Sequence, residues 1–220
     1  MKRLLFATLS LAILAVPAGA ADLPRRYDQP VVPKAPIYSP AYNWTGFYLG
    51  LNGGGAWGRS EWDTTGDFKV SGGLIGGTAG YNWQTGAFVL GLESDLDWSG
   101  ISGSTNAFCT FGCKTSNSWL ATVRGRVGYS YDRFLPYLTA GLAVGDISAK
   151  TPGLAGLSET NLGWTVGGGV EVALMGNWSA KLEYLYVDLG EIKCGLACGA
   201  AANDVTFTSH LFRGGINYRF

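Results

Sequence analysis

The stretch that decides the fold is FVLGLESDLDW, residues 88–98, in which apolar and acidic side chains alternate. Successive side chains of a β-strand point to opposite faces, so a period of two over ten residues predicts a strand. One face is apolar and aromatic, and the other carries the acidic groups. The first face holds Phe88, Leu90, Leu92, Leu96 and Trp98, and the second holds Glu93, Asp95 and Asp97.

Seven further runs share this period of two and complete a set of eight predicted strands. They are residues 47–53, 75–83, 119–129, 138–144, 164–174, 178–186 and 212–220. Their connections alternate in length, with 84–86, 130–134 and 175–177 short and about 59–71, 99–117, 146–160 and 190–204 long. An up-and-down sheet of eight strands gives this alternation when both termini lie on the side of the short turns.

That asymmetry is typical of a transmembrane β-barrel, which has short turns at one end and long loops at the other. Closure of the barrel also removes both sheet edges, whose unpaired backbone groups lipid cannot satisfy. We therefore predict an all-β fold, namely an eight-stranded antiparallel up-and-down transmembrane barrel. A soluble eight-stranded ligand-binding barrel, such as a lipocalin, is the alternative, because the charged faces could instead point to solvent.

The spacing of aromatic residues supports the membrane alternative. In three runs the apolar face carries aromatic residues ten positions apart: Phe47 and Trp57, Phe88 and Trp98, Trp119 and Tyr129. Ten residues at ~3.3 Å, tilted by ~40°, rise roughly 25 Å, which is the height of the lipid-facing band between two aromatic girdles. The predicted interface residues are Phe47, Trp57, Trp83, Phe88, Trp98, Trp119, Tyr129, Trp164, Trp178 and Tyr186.

The opposite face of the strands carries charges of both signs. If it points inward, a charge network is expected in the lumen, formed by Glu93, Asp95, Asp97, Arg124, Arg126, Glu171, Lys181, Glu183 and Arg213. Buried charges need partners, and near-equal numbers of each sign allow mutual neutralisation. Because side chains can fill an eight-stranded interior, we expect a plugged or very narrow pore. The alternative is a hydrated lumen that filters small solutes as a narrow diffusion porin.

Neither a catalytic site nor a cofactor is predicted. Paired carboxylates serve as acid and base only in a cleft open to substrate, and no such cleft is implied. His210, the only histidine, is expected to be an ordinary strand residue, the alternative being an exposed ligand for haem or metal in the loop region. Lysine plus arginine equals aspartate plus glutamate, at 16 each, so no net field attracts nucleic acid.

The N-terminal residues have the layout of an export signal. Lys2 and Arg3 precede an apolar run that ends near the small-residue site AGA, which predicts a secretory signal peptide at 1–20. Residues 21–43 are rich in proline and predict an extended periplasmic leader, and 44–220 the barrel domain.

Export predicts disulfides in place of free thiols. The cysteines form two short pairs, Cys109 with Cys113 and Cys194 with Cys198. Pairing within each loop is favoured, because it closes the smallest rings, and a bridge between the two loops is the alternative. A four-cysteine zinc site is disfavoured, because structural zinc usually uses more closely spaced cysteine pairs and the oxidising compartment disfavours free thiolates.

Six motifs together resemble one family. They are WTGFY (44–48), AGYNWQ (79–84), GLESD (91–95), RGRVGY (124–129), KLEY (181–184) and NYRF (217–220). The chain is similar to the small outer-membrane β-barrels of alphaproteobacteria, often called porin family proteins, which belong with the opacity-protein and outer-membrane-protein-A-like barrels. The resemblance implies a monomer in the Gram-negative outer membrane with a structural envelope role.

The resemblance also implies partners. The aromatic ending Ile216, Tyr218 and Phe220 resembles the signal that the barrel-assembly machinery reads, and outer-membrane lipid and lipopolysaccharide would surround the barrel. Some relatives bind haemin or host surfaces, so a surface receptor or adhesin acting through loops 99–117 and 190–204 is a further alternative. The two cysteine pairs are not part of this pattern.

Overall fold

The computed structural model describes residues 42–62, 66–105, 113–150, 157–195 and 203–220, all within the compact unit Pro40–Phe220. Eight antiparallel strands, each paired with its neighbour in sequence, close into a barrel in which β1 also pairs with β8. They are β1 Gly46–Trp62, β2 Gly66–Thr85, β3 Phe88–Thr105, β4 Cys113–Tyr129, β5 Phe134–Lys150, β6 Leu157–Ala173, β7 Trp178–Gly195 and β8 Asn203–Arg219. The predicted fold class is confirmed. Among the described residues, no helix has the length and hydropathy to cross a membrane.

The barrel closes along the seam between its first and last strands. The ladder runs from Tyr48 opposite Arg219 to Trp62 opposite Val205, and the Phe220 amide donates to the Phe47 carbonyl at 2.9 Å. The hydrogen-bonded ladder is therefore continuous around the circumference, as lipid requires.

The strands are longer than predicted, and the four long loops are correspondingly shorter. Each strand has 17 to 20 residues, and strand structure occupies most of 59–71, 99–117, 146–160 and 190–204. The prediction was wrong because the outward-facing residues in these segments are polar, which is typical of loops. The alternation nevertheless continues there, since the inward-facing positions become apolar.

This change divides the barrel into two zones of opposite polarity. Between the short turns and the level of Trp57, outward side chains are apolar, such as Leu138 at 73% exposed, while charged side chains face inward and are buried. Beyond that level, outward positions hold exposed polar residues such as Arg59 and Lys69, and the interior holds buried Ile147 and Phe207. Only the first zone has the inside-out polarity of a lipid-embedded barrel.

Several predictions concern residues outside the described ranges. The signal peptide at 1–20 and almost all of the proline-rich leader at 21–43 lie there, as do Cys109 and Cys198. Cys113 begins β4, and Cys194 lies near the end of β7. The disulfides therefore stay a prediction.

Candidate functional site

The first zone, whose outward side chains are apolar, is here called the lipid-level zone. Its interior is built around Arg124 of β4. Its Nη2 lies 2.5 Å from Glu93 Oε1 and 2.6 Å from Asp95 Oδ2, both on β3. Its Nη1 reaches across the lumen to Glu183 Oε1 on β7 at 2.9 Å. Arg124 stands directly opposite Glu93 and diagonally opposite Asp95 in the β3–β4 ladder, so register sets these two contacts, and closure of the barrel brings Glu183 within reach.

Arg213 of β8 forms a second centre. Its Nη1 lies 2.7 Å from Asp97 Oδ2, and its Nη2 lies 2.8 Å from Asp95 Oδ2 and 2.7 Å from Glu183 Oε2. Asp95 and Glu183 are thus each shared between Arg213 and Arg124. The planar guanidinium with its fixed fork of donors suits such multiple carboxylate contacts.

The remaining charges form a layer nearer the short turns. Arg126 Nη2 lies 2.7 Å from Glu171 Oε2 and Nη1 3.4 Å from Glu93 Oε2, while Lys181 Nζ lies 3.0 Å from the same Glu93 oxygen. The Arg126 guanidinium also lies over the Tyr137 ring, 4.3 Å from its centroid. The structure thus brings all nine predicted residues together, and we call them the ionic network.

The ionic network is dry. Its side chains are at most 4% exposed, and those of Arg124, Arg213, Asp95 and Glu183 are 0% exposed. These four side chains are therefore inaccessible to bulk water. Charges removed from water in this way depend on one another, because no solvent compensates for a missing partner.

Neutral polar side chains complete the network, and sequence reasoning missed them. Tyr48 donates to Glu93 Oε2 at 2.8 Å, and Tyr137 donates to Glu183 Oε1 at 3.0 Å. Other donors to the carboxylates are Thr78, Thr122, Ser179 and Asn217. The sequence did offer a signal for these donors, because each of them lies at an inward-facing position of its strand.

An apolar layer closes the lumen on the long-loop side of the network. It is a cluster of buried side chains: Ala56, Val70, Leu74, Ile101, Leu120, Ala143, Ile147, Leu185, Val187, Leu189, Phe207 and Leu211. Near its outer limit the hydroxyls of Ser60 on β1 and Thr115 on β4 lie 3.0 Å apart, so two non-adjacent strands meet across the interior. Sequence reasoning missed this layer in part because it assigned Val70, Ile101 and Ile147 to loops.

Trp44 closes the lumen at the short-turn end. The residue is 2% exposed and packs with Val89, Leu135 and Ala173. The indole Nε1 donates to Ser130 Oγ at 3.0 Å and to the Asp132 carbonyl at 3.1 Å. The chain entering β1 is thereby fixed across the mouth, and the Arg219 guanidinium, which donates to the Asn43 carbonyl, holds it from the other side.

The predicted aromatic residues lie on the outer surface in two belts, exposed or partly exposed. The belt near the short turns holds Phe47, Trp83, Phe88, Tyr129 and Trp178. The belt near the change of polarity holds Trp57, Trp98, Trp119, Trp164 and Tyr186. Ile216, Tyr218 and Phe220 face outward at the end of β8 and just beyond it.

His210 lies in β8 on the outward face, in the second belt. Its Nδ1 lies 2.6 Å from the Tyr184 hydroxyl, and its ring lies between those of Trp57 and Tyr186, with centroids 6.2 and 5.3 Å away. It is thus a strand residue of the belt. Across the described ranges, no group of three or more His, Cys, Asp and Glu side chains is arranged to hold a metal ion.

The ionic network does not form an open active site, because its carboxylates are buried and paired with cations. A closed eight-stranded barrel with a lipid-facing apolar band, two aromatic belts and an ionic interior defines the class of small outer-membrane β-barrels. The chain belongs to the outer membrane protein beta-barrel domain family, whose profile matches residues 6–220. Its location is the Gram-negative outer membrane, as the names of its relatives also indicate.

The relatives are similar along much or all of the chain. The 31 kDa outer-membrane immunogenic protein of Brucella melitensis is 36% identical over 250 aligned positions, covering 100% of both chains. The 22 kDa outer membrane protein of Rhizobium leguminosarum is 41% identical over 155 positions, 70% of this chain and 68% of that one. The crystal structure of Neisserial surface protein A aligns with 80% of this chain and 98% of its own, at 18% identity and a TM-score of 0.48.

Proposed function

We propose that this protein is a non-conducting barrel that acts as a structural anchor in the outer membrane and displays its long-loop end outside the cell, without enzymatic activity. One observation carries the proposal, namely that side chains fill the lumen along its length. Trp44, the ionic network and the apolar layer succeed one another from the short turns outward. Each layer alone would oppose the passage of a hydrated ion.

The diffusion-porin alternative requires a hydrated lumen. The ionic network supports the opposite, because Arg124 and Arg213 lie within 2.5 to 2.9 Å of carboxylate oxygens and are inaccessible to water. The apolar layer would also have to open, at a cost proportional to the apolar area exposed. A permanently closed barrel therefore fits the side chains better than a narrow filter.

Conductance tests closure directly. We expect the mature chain, residues 21–220, to give no steady single-channel current after folding into a planar bilayer, because no continuous water path crosses three packed layers. The heat-modifiable shift on a gel checks folding, and a 16-stranded porin inserted in the same way checks sensitivity. Steady openings whose conductance rises with salt would contradict the proposal and favour the porin alternative.

The display role is supported by the second zone of the barrel. Transmembrane barrels place short turns in the periplasm and long loops outside, so the polar extension of the strands projects from the cell. Its exposed outward residues include Arg59, Glu61, Lys69 and Lys114, which suits water and not lipid. That the Brucella relatives are named immunogenic is consistent with exposure of this end.

An inserted epitope tests the orientation. A tag placed between residues 108 and 109 is expected to bind antibody on intact cells, whereas a tag at the Met175–Gly176 turn should bind only after the outer membrane is permeabilised. The two insertions are matched controls for one another, since both lengthen connections between strands. The reverse pattern of labelling would contradict the proposed display.

The same proposal covers the assembly of the barrel. The outward face at the end of β8 and just beyond it carries Ile216, Tyr218 and Phe220. These side chains are accessible while β8 is unpaired, which suits recognition by the barrel-assembly machinery. The continuous lipid-facing band suits a monomer surrounded by lipid and lipopolysaccharide.

A further inference from the structure

The residues that immediately precede β1 cross the mouth of the barrel at the short-turn end. We call residues 42–45 the clasp. In the closed order of strands β1 and β5 are four positions apart, so they stand on opposite walls. The Tyr42 amide donates to Asp132 Oδ1 at 3.0 Å, and the Trp44 indole donates to Ser130 and to the Asp132 carbonyl. The clasp therefore joins the start of β1 to the turn between β4 and β5 on the far wall.

The clasp is also held by the two strands that flank β1. The Trp44 amide donates to Gln84 Oε1, near the end of β2, at 2.7 Å. Arg219 ends β8, and its guanidinium donates to the Asn43 carbonyl and lies 4.5 Å from the centroid of the Tyr42 ring. The rings of Tyr42 and Trp44 pack edge to face, with centroids 4.8 Å apart. Three separate parts of the barrel thus hold one short segment of chain.

The turn on the far wall has a backbone conformation that suits this contact. Asp132 has a φ of 57°, a left-handed conformation that aspartate adopts more readily than most residues other than glycine. It accepts the Tyr42 amide with its side chain and the Trp44 indole with its carbonyl. Such a conformation costs free energy and persists where its surroundings hold it. The two hydrogen bonds from the clasp supply such surroundings.

The contacts of the clasp require a closed barrel. Its partners in β2, in the β4–β5 turn and in β8 lie 40, 86 to 90 and 176 residues away in sequence. Contacts over such separations carry a loop-closure cost, and the structure that brings the partners together must form before them. The β4–β5 turn must be present, and β8 must already lie beside β1. Conversely, β1 cannot swing away from β8 while the residues before it are bound to the opposite wall.

We propose that the clasp is the last part of the barrel to form and that it holds the seam between β1 and β8 closed. Interactions that are absent from the transition state of folding slow unfolding and leave the folding rate unchanged. The clasp therefore gives the folded barrel a long lifetime in the membrane. This role is separate from closure of the lumen, since the ionic network and the apolar layer fill the interior without the clasp.

Rates of folding and unfolding of the mature chain in lipid vesicles test the role of the clasp. Trp44→Phe keeps an aromatic ring but removes the indole donor to Ser130 and Asp132. The variant is expected to unfold in urea about tenfold faster than the unaltered protein, because two hydrogen bonds of a buried side chain are lost, and to fold at a rate within about twofold. The heat-modifiable band, sampled over time, measures both rates.

Trp83→Phe is the matched control. Trp83 faces outward at the same end of the barrel and is 62% exposed, so its replacement should change neither rate by more than about twofold. A double-mutant cycle then tests the contact itself. Ser130→Ala removes one acceptor of the Trp44 indole, so it should speed unfolding of the unaltered protein by about threefold or more but that of Trp44→Phe by less than about twofold.

Three results would overturn the proposal. The first is equal unfolding rates for Trp44→Phe and Trp83→Phe. The second is slower folding of Trp44→Phe at an unchanged unfolding rate, because the clasp would then form early. The third is independent effects of Trp44→Phe and Ser130→Ala. None of these results bears on closure of the lumen, which conductance measures.

Discussion

Replacing Arg124 by methionine is expected to lower the free energy of unfolding of the barrel by about 3–5 kcal/mol. The substitution keeps an unbranched, flexible side chain but removes the guanidinium and its charge. Three carboxylates lose a cation at 2.5 to 2.9 Å, and these are Glu93, Asp95 and Glu183. Because they are buried, water cannot replace the missing partner, and their mutual repulsion grows. Urea unfolding of the protein folded into lipid vesicles, followed by tryptophan fluorescence, measures the loss.

Arg133 supplies the matched control. It is exposed in the turn before β5, where its Nη1 donates to the Leu174 carbonyl at 2.9 Å, so Arg133→Met should cost no more than about 1 kcal/mol. Adding Glu183→Gln to Arg124→Met should recover part of the loss, because it removes one of the uncompensated charges. Equal small losses for Arg124→Met and Arg133→Met would mean that the ionic network contributes little to stability.

The sequence predicted the lipid-level zone well because its two faces differ strongly in chemistry. In residues 88–98 every outward position but one is a large apolar residue, and the inward positions include three carboxylates, so parity assigns each side chain to a face. Lipid outside and charge inside leave little choice of register, since a slip of one residue would exchange the faces.

The remaining zone was not predicted because its polarity is that of a soluble barrel. Arg59 and Lys69 face out while Val70 and Ile147 face in, and the predicted strands were extended only as far as outward residues remained apolar. The same alternation, taken with the opposite assignment of faces, would have continued the strands. The available signal was therefore the period of two itself, whichever face of the strand is apolar.

The other features of the site that the sequence did not predict depend on contacts between residues far apart in the chain. Trp44 precedes the first alternating run, and its hydrogen-bond partners Ser130 and Asp132 are 86 and 88 residues away in sequence. The contact of Arg124 with Glu183 spans 59 residues and crosses the lumen. Such partners depend on the curvature of the closed barrel, which the sequence of a single strand does not contain.

The closed barrel also crowds the inward-facing positions of its strands, and this crowding leads to the second prediction with a large expected effect. Gly76→Val is expected to prevent the barrel from folding, whereas Gly77→Val, one residue further along β2, is expected to fold normally. Gly76 is buried and faces inward, where a Cβ would collide with the side chain of Asp97 and the carbonyl oxygen of Leu96 and would lie 2.7 Å from the Asp97 Cα. Two of these atoms belong to the backbone of β3, which cannot move away without breaking its ladder with β2.

Gly77 differs only in the face it presents. A Cβ there lies 3.8 Å from the Gly50 carbonyl oxygen, an ordinary contact, and points toward lipid. Valine at this position should leave the free energy of unfolding unchanged or raise it by up to about 1 kcal/mol, because glycine is disfavoured in strands and valine is favoured. The heat-modifiable band and the amount of protein in isolated outer membranes measure folding of both variants. If both fold, the crowding at Gly76 does not limit the fold. If neither variant folds, a side chain at Gly77 is not tolerated either, and the assignment of Gly77 to an uncrowded lipid-facing position is wrong.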